Sequence, residues 1–310
     1  MKNFNLEWGN YRLDLGRRTC IMGVLNVTPD SFSDGGEFFT LDDAVTQGYR
    51  LFKDGADVLD IGGESTRPFS DAISVEEEIQ RVVPVIERLS KRISIPISID
   101  TTKADVAEHA IKAGASMIND ISSLRFDPKM ADVAADYGVP VILMHMLGNP
   151  KTMQIEPKYD DLIGQIKAFF ENEIDLAEQK GISKSKIIID PGIGFGKTFD
   201  HNLSLIKNLH EFKTLNVPIL IGTSRKAFIR DLLKDETQKD VHPQSRIVET
   251  GTQASVAAAV LNGAHIVRVH DVASTRITVK IIDAIKNGQS SSNRSSKEMI
   301  CQGLTRNCIG

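Results

Sequence analysis

Short apolar runs rich in isoleucine and valine recur along the 310-residue chain, each followed by a polar or glycine-containing turn and a helix-like stretch. The runs at 19–25, 58–61, 97–99, 117–119, 141–144, 187–189, 219–221 and 266–269 read as strands. They are near-continuously apolar, as expected of strands covered on both faces. Helical spacing predicts helices over 41–53, 74–89, 103–113, 128–137, 159–179, 201–212, 227–233 with 246–261, and 274–285. Ser74 before Glu76 and Glu77 is a good N-cap followed by first-turn acids. Gly55, Gly114, Gly138 and Gly181 mark helix ends.

This alternation predicts βα units on a parallel sheet. Eight strands alternating with eight helical regions fit a closed barrel better than an open sheet. The expected fold class is α/β, a single (β/α)8 TIM barrel over residues 1–288. Leu6, Tyr11, Leu13 and Leu15 around the turn at Gly9–Asn10 predict a short N-terminal hairpin closing one barrel mouth. Residues 289–310 open with a Ser-rich run and predict a disordered tail.

A net charge of -4 and a pI near 6.0 point away from nucleic-acid or anionic-membrane partners. Small anionic substrates stay possible, since local cations and helix N-termini bind them whatever the net charge. Cys20, Cys301 and Cys308 form no close pair, which fits a reducing cytoplasm and excludes a disulfide scaffold. The N-terminus lacks the apolar core of a signal peptide, and no apolar run is long enough to span a membrane.

Polar residues gather where the apolar runs end: Asn26, Asp60, Asp100, Asn119 with Asp120, Met144 with His145, Asp190, Gly222 with Ser224 and Lys226, and Arg268 with His270. A lone aspartate there is usually a helix cap, and Asp42 and Asp127 read that way; Asp100 also stands where it can cap the next helix. Capping does not explain polar groups at every strand end, several of them basic or amide. In a parallel barrel all carboxyl ends open on one face, where barrel enzymes place their chemistry.

The ordered set of segments resembles one family. MGVLNVTPDSFSDGG at 22–36 and DIGGESTRP at 60–68 are similar to two signatures of dihydropteroate synthases. SIDT at 98–101, INDI at 118–121, LMHM at 143–146, DPGIGFGK at 190–197, SRK at 224–226 and RVHDV at 268–272 follow in that family's order. The resemblance implies condensation of a dihydropterin methyl diphosphate with 4-aminobenzoate, Mg2+ on the diphosphate, a homodimer, and a sulfonamide target.

Carried onto this chain, the resemblance implies a pterin site of Asp100, Asn119, Met144, Asp190, Phe195, Gly222 and Lys226. A pterin edge carries N–H donors and one carbonyl, which suits carboxylate and amide partners. Asn26, Thr66, Arg67, Arg268 and His270 would hold diphosphate, with Asn26 also a metal ligand. Phe32, Thr66, Arg67, Pro68, Phe195, Ser224 and Lys226 would shape the aminobenzoate slot. The residues closest to the chemistry are then Asn26, Asp100, Lys226, Arg268 and His270, with no covalent nucleophile. His145 and His265 read as structural.

Phe69 departs from the family pattern, which places a small residue after Thr-Arg-Pro. A methyltetrahydrofolate–corrinoid methyltransferase would share the pterin acids but lack the paired loop signatures and the Arg-x-His segment. A non-catalytic pterin binder would not need the diphosphate residues.

Overall fold

The structure, a computed structural model, describes residues 2–28, 40–65, 72–235 and 240–288. Strands β1 (Phe4–Trp8) and β2 (Tyr11–Leu15) form the expected antiparallel hairpin. The barrel strands are β3 (Cys20–Asn26), β4 (Val58–Gly62), β5 (Ile97–Asp100), β6 (Met117–Asp120), β7 (Val141–Met144), β8 (Ile187–Asp190), β9 (Leu220–Ile221) and β10 (Ile266–Val269). All are parallel, in the order β8-β7-β6-β5-β4-β3-β10-β9. A bridge between Ile189 and Ile219 joins the two ends, and the Ile189 amide donates to Pro218 O at 3.0 Å. The sheet is therefore closed.

Helices α1 (Leu41–Asp54), α2 (Val75–Ser90), α3 (Ala104–Ala113), α4 (Met130–Tyr137), α5 (Leu162–Gln179), α6 (Phe199–Lys207), α7 (Ala227–Leu233), α8 (Arg246–Leu261) and α9 (Val272–Asn287) surround it. The expected helix at 201–212 is instead α6 followed by a 3-10 segment, Leu209–Leu215. Asn208 separates them: its side-chain amide donates to Ser204 O and its backbone leaves the α region.

One cap assignment needs correction and another is extended. Thr40 caps α1 through a reciprocal box with Asp43, while the Asp42 carboxylate pairs with Arg88 on α2 at 2.5 Å. Asp127 accepts from Lys129 N at the start of its own helix α4 at 3.0 Å, as expected, and its other oxygen also takes Ala104 N of α3 at 2.9 Å. That bond leaves Asp100 free of capping duty, since the α3 N-cap, Lys103, makes no side-chain cap bond.

Strand periodicity sorts the core into two compartments. Ile21, Leu25, Leu59, Ile61, Ile97 and Ile99 face outward and pack with the helices. Cys20, Met22, Val58, Met117, Ile142, Ile188, Leu220 and Ile266 face inward and pack against Leu6, Trp8, Leu13 and Leu15 of the hairpin. The hairpin thus stoppers the amino-terminal end of the barrel with apolar side chains. Two residues further along, the inward positions are Asp60, Asn119, Met144, Asp190, Gly222 and Arg268. The barrel interior changes from dry to polar within one step of the pleat.

Candidate active site

The carboxyl ends of the strands bring the polar positions together by register. Asn26 lies beside Gly62, Gly62 beside Asp100, and Asp100 beside Asn119 in one hydrogen-bonded row. Met144 lies beside Asp190. Gly222 leaves room beside the Arg268 stem: a Cβ there would stand 3.8 Å from Arg268 Cβ.

At the centre of the floor, Arg268 Nε donates to Asp60 Oδ2 and Arg268 Nη2 to Asp100 Oδ2, each at 2.6 Å. Asn119 Nδ2 donates to the same Asp60 oxygen at 3.0 Å. Both remaining oxygens, Asp60 Oδ1 and Asp100 Oδ1, are buried without a hydrogen-bond partner. A buried carboxylate oxygen left unpaired is costly, and Asp100 Oδ1, on the less deeply buried of the two carboxylates, stands where a ligand N–H can satisfy it. Burial pushes the Asp100 carboxyl up to about 7; Arg268 pulls against that, while Asp60, Glu78 and Asp120 add to it.

Asp190 lies across the mouth. Its Oδ1 accepts from Gly192 N at 2.8 Å, so one oxygen does form the local turn expected of an Asp-Pro-Gly segment. Burial raises its pKa, opposed by that bond and by Lys226, Arg268 and Lys197. The loop beyond it is pinned underneath by Lys197, whose Nζ lies 2.8 Å from His145 Nδ1 and donates to His145 O at 2.9 Å, and burial pushes the Lys197 pKa well below the usual lysine range. Burial and the Lys197 charge depress His145 to about 2, consistent with its structural reading. His265 is structural too: its Nδ1 accepts from Ile219 N at 3.1 Å.

Lys226 sits with Nζ 4.1 Å from the centroid of the Phe195 ring. Burial, and Arg268 beside it, lower Lys226 to about 8. Phe195 joins Met144, Ile121, Met146 and Met153 in an apolar cluster, a soft wall beside the acids. Between Ser224 and Lys226 the backbone turns through Arg225 at φ 59, a left-handed conformation unusual for a side-chain-bearing residue. Ser224 Oγ lies 2.9 Å from His270 Nδ1, which ties the ends of the β9 and β10 loops together. Asn26 is half-buried at the end of β3.

Phe32, Thr66, Arg67, Pro68 and Phe69 lie outside the described residues, as do residues 289–310. The base of the segment carrying Thr66 to Phe69 is described. Glu64 accepts from Ile73 N at 2.9 Å and from Lys103 Nζ at 3.0 Å, and Lys103 also donates to the fully buried Glu78 at 2.6 Å. Sequence reasoning assigned no role to Asp60, Lys197, Lys103 or Glu78. For Asp60 the signal was present: it is two residues beyond inward-facing Val58, so the pleat points it into the barrel.

A family model described as pterin binding enzyme matches residues 22–270. The chain is similar to a dihydropteroate synthase of Synechocystis sp., 48% identical over 280 residues, covering 90% of this chain and 94% of that one. A crystal structure of the Yersinia pestis dihydropteroate synthase with a sulfonamide drug complex superposes with a TM-score of 0.85 at 44% identity, covering 92% of this chain and 100% of that one. The Xanthomonas albilineans dihydropteroate synthase in complex with 7,8-dihydropteroate gives 0.80 at 42% identity, covering 91% and 98%. Matched in order, length and fold over the whole barrel, the chain belongs to the pterin-binding enzymes and, among them, to the dihydropteroate synthases.

Proposed function

We infer that this chain joins a dihydropterin methyl diphosphate to 4-aminobenzoate, releasing pyrophosphate and forming 7,8-dihydropteroate. The observation that carries the reading is the acceptor-rich floor, in which Asp100 Oδ1 is buried and unpaired. It asks for a flat ligand edge made of N–H donors, as a pterin presents.

The residue roles are those the family resemblance implies, and for the described residues the geometry above supports them. Asp190, Asp100 and Asn119 hold the pterin edge, and Lys226 donates to the ring carbonyl or to N5. Met144 and Phe195 cover the ring, with Gly222 leaving space for it. Asn26, Thr66, Arg67, Arg268 and His270 hold the diphosphate. Arg268 Nη1 is the guanidinium nitrogen committed to neither carboxylate. Phe32, Thr66, Arg67, Pro68, Ser224, Phe195 and Lys226 shape the aminobenzoate slot, where sulfonamides would compete.

The bond from the methylene carbon to the diphosphate oxygen breaks, and the aniline nitrogen bonds to that carbon and then loses a proton. An electron-rich ring can share the positive charge at the methylene, so bond breaking can lead in an SN1-like path. The site's task is to stabilise the leaving charge and position the amine. A neutral amine needs no strong base and no covalent nucleophile.

Among the described residues no group of three or more His, Cys, Asp or Glu could hold a metal ion. The neutral amide oxygen of Asn26 nonetheless fits Mg2+, which keeps several waters and takes phosphate oxygens as ligands. When bound with the diphosphate, Mg2+ supplies charge neutralisation to the leaving group. Pyrophosphate release from the pterin diphosphate with Mg2+, with and without 4-aminobenzoate, tests the reaction. Release is expected to be fastest with both, and its absence from folded protein under either condition would falsify the reading.

Pterin binding is also expected to displace a proton. Near pH 6.5 much of Asp100 is neutral, because its pKa stands at about 7. Accepting from a ligand N–H favours the charged form and lowers that pKa. Calorimetric titration with 6-hydroxymethylpterin at pH 6.5 should give enthalpies that change with the ionisation enthalpy of the buffer. Identical enthalpies in phosphate and in Tris would contradict this role.

A homodimer is proposed through α9, where Ile277, Ile281 and Ile285 form an exposed apolar stripe at four-residue spacing. Ile281→Glu is then expected to yield monomers in sedimentation; a parent that sediments only as a monomer removes the proposal. No helix among the described residues is long and apolar enough to cross a membrane. A cytoplasmic location is proposed in keeping with the absence of closely spaced cysteines in the sequence.

A further inference from the structure

Asp60 stands under the pterin floor rather than on it. One of its oxygens, Oδ2, takes both Arg268 Nε and Asn119 Nδ2, and the residue is fully buried. This double acceptance fixes something that the sequence leaves open. An asparagine amide can be turned end for end at no steric penalty, and its neighbours decide which end faces which way. Here the oxygen opposite Asn119 is an acceptor already engaged by a guanidinium. Only the Nδ2 end can face it. The carbonyl oxygen of Asn119 and its second amide hydrogen are left for the ligand, in a fixed order.

We propose that Asp60 is a positioning and specificity-determining residue: it locks the Asn119 amide so that the site accepts a 2-amino pteridine and rejects its 2-oxo counterpart. The inference rests on the pterin reading given above. A pterin offers an acceptor at ring N1 beside an exocyclic amino donor. Its 2-oxo analogue, a lumazine, offers an N1–H donor beside a carbonyl acceptor. The two edges are the same shape with donor and acceptor exchanged. Asn119 locked by Asp60 matches the first and opposes the second. An unlocked amide can rotate to satisfy either. A site built on paired polar groups discriminates strongly because the wrong ligand leaves those groups unpaired.

The register supports this division of labour. Asp60 precedes Gly62 by one pleat, and Gly62 lies in the row of Asp100. Asp60 is therefore set back by one pleat from Asp100 and is 0% exposed, against 9% for Asp100 and 5% for Asn119.

The test compares affinities for 6-hydroxymethylpterin and 6-hydroxymethyl-lumazine in the parent, in Asp60→Asn and in Asp60→Ser. The parent is expected to prefer the pterin by at least about a hundredfold. Either variant is expected to narrow that ratio by about tenfold or more, with the KM for 4-aminobenzoate within twofold of the parent. A purely structural role would weaken both ligands together and leave the ratio unchanged, so loss of folded fraction cannot imitate the result. An unchanged ratio in the folded variants overturns the proposal. So does parent protein that binds the two ligands within threefold of each other, an arm that requires no variant to fold. If the parent binds neither ligand, the pterin reading itself fails. If it binds the pterin and Asp190→Ala abolishes that binding while the Asp60 variants keep the parent ratio, only this inference fails.

Discussion

Arg268→Ala is expected to destabilise the fold by about 3–5 kcal/mol, the range for removing one partner of a buried ion pair. The guanidinium is the charge shared by Asp60 and Asp100, both buried, and each of those residues already has one oxygen without a partner. Removing it leaves two carboxylates facing each other in the barrel interior. The loss should depend on pH. Arg268 lowers the Asp100 pKa, so without it the folded-state value rises above about 7, while the reference value is 3.8. A carboxyl whose pKa is raised on folding costs stability progressively as pH climbs from the unfolded value to the folded one. In the parent that cost stops growing near pH 7; in the variant it continues. Urea denaturation should therefore show a wider gap between parent and variant at pH 8.5 than at pH 6. An equal gap at the two pH values would show that Asp100 is not the group left uncompensated. The same variant should be inhibited less by pyrophosphate, since Nη1 is assigned to the diphosphate; unchanged inhibition would remove that assignment.

Asp190→Ala should reduce pterin affinity by about a hundredfold or more. Hydrogen bonds to a charged group contribute about 1.5–3 kcal/mol each, and the proposed role has the carboxylate accept two in parallel. The substitution should leave the fold largely intact, because among the described residues the Asp190 side chain accepts one hydrogen bond, from the Gly192 amide at 2.8 Å, and the strand's backbone bonds do not depend on it. Calorimetry against 6-hydroxymethylpterin decides the point, and affinity within threefold of the parent would refute the anchoring role.

The strands were legible in the sequence because a strand buried on both faces must be apolar, and each short run declared itself to within a residue or two. The hairpin was legible from its alternating leucines and the Gly9 turn, which the structure places at φ 50. Long-range pairing was not legible. Asp42 sits where a cap would, but its partner Arg88 is 46 residues away. Asp127 serves the helix that follows it, but it also accepts the Ala104 amide of a helix that precedes it in the chain. Asp60 was misjudged in importance for the same reason: a strand-end aspartate looks alike whether it meets ligand, water or two other side chains. Its partners Asn119 and Arg268 lie 59 and 208 residues away. Periodicity gives the direction of such a side chain but not what waits there.

The apolar stopper has a bearing on how the molecule can be joined to others. The hairpin lies at the amino-terminal end of the barrel, and α9 returns to the same end, where Asn287 Nδ2 donates to Arg17 O at 3.2 Å. The chain thus enters and leaves the barrel at the pole opposite the mouth. A domain fused at either point, or a tether fixing the protein to a surface, would hang from the sealed pole and leave the site facing open solvent.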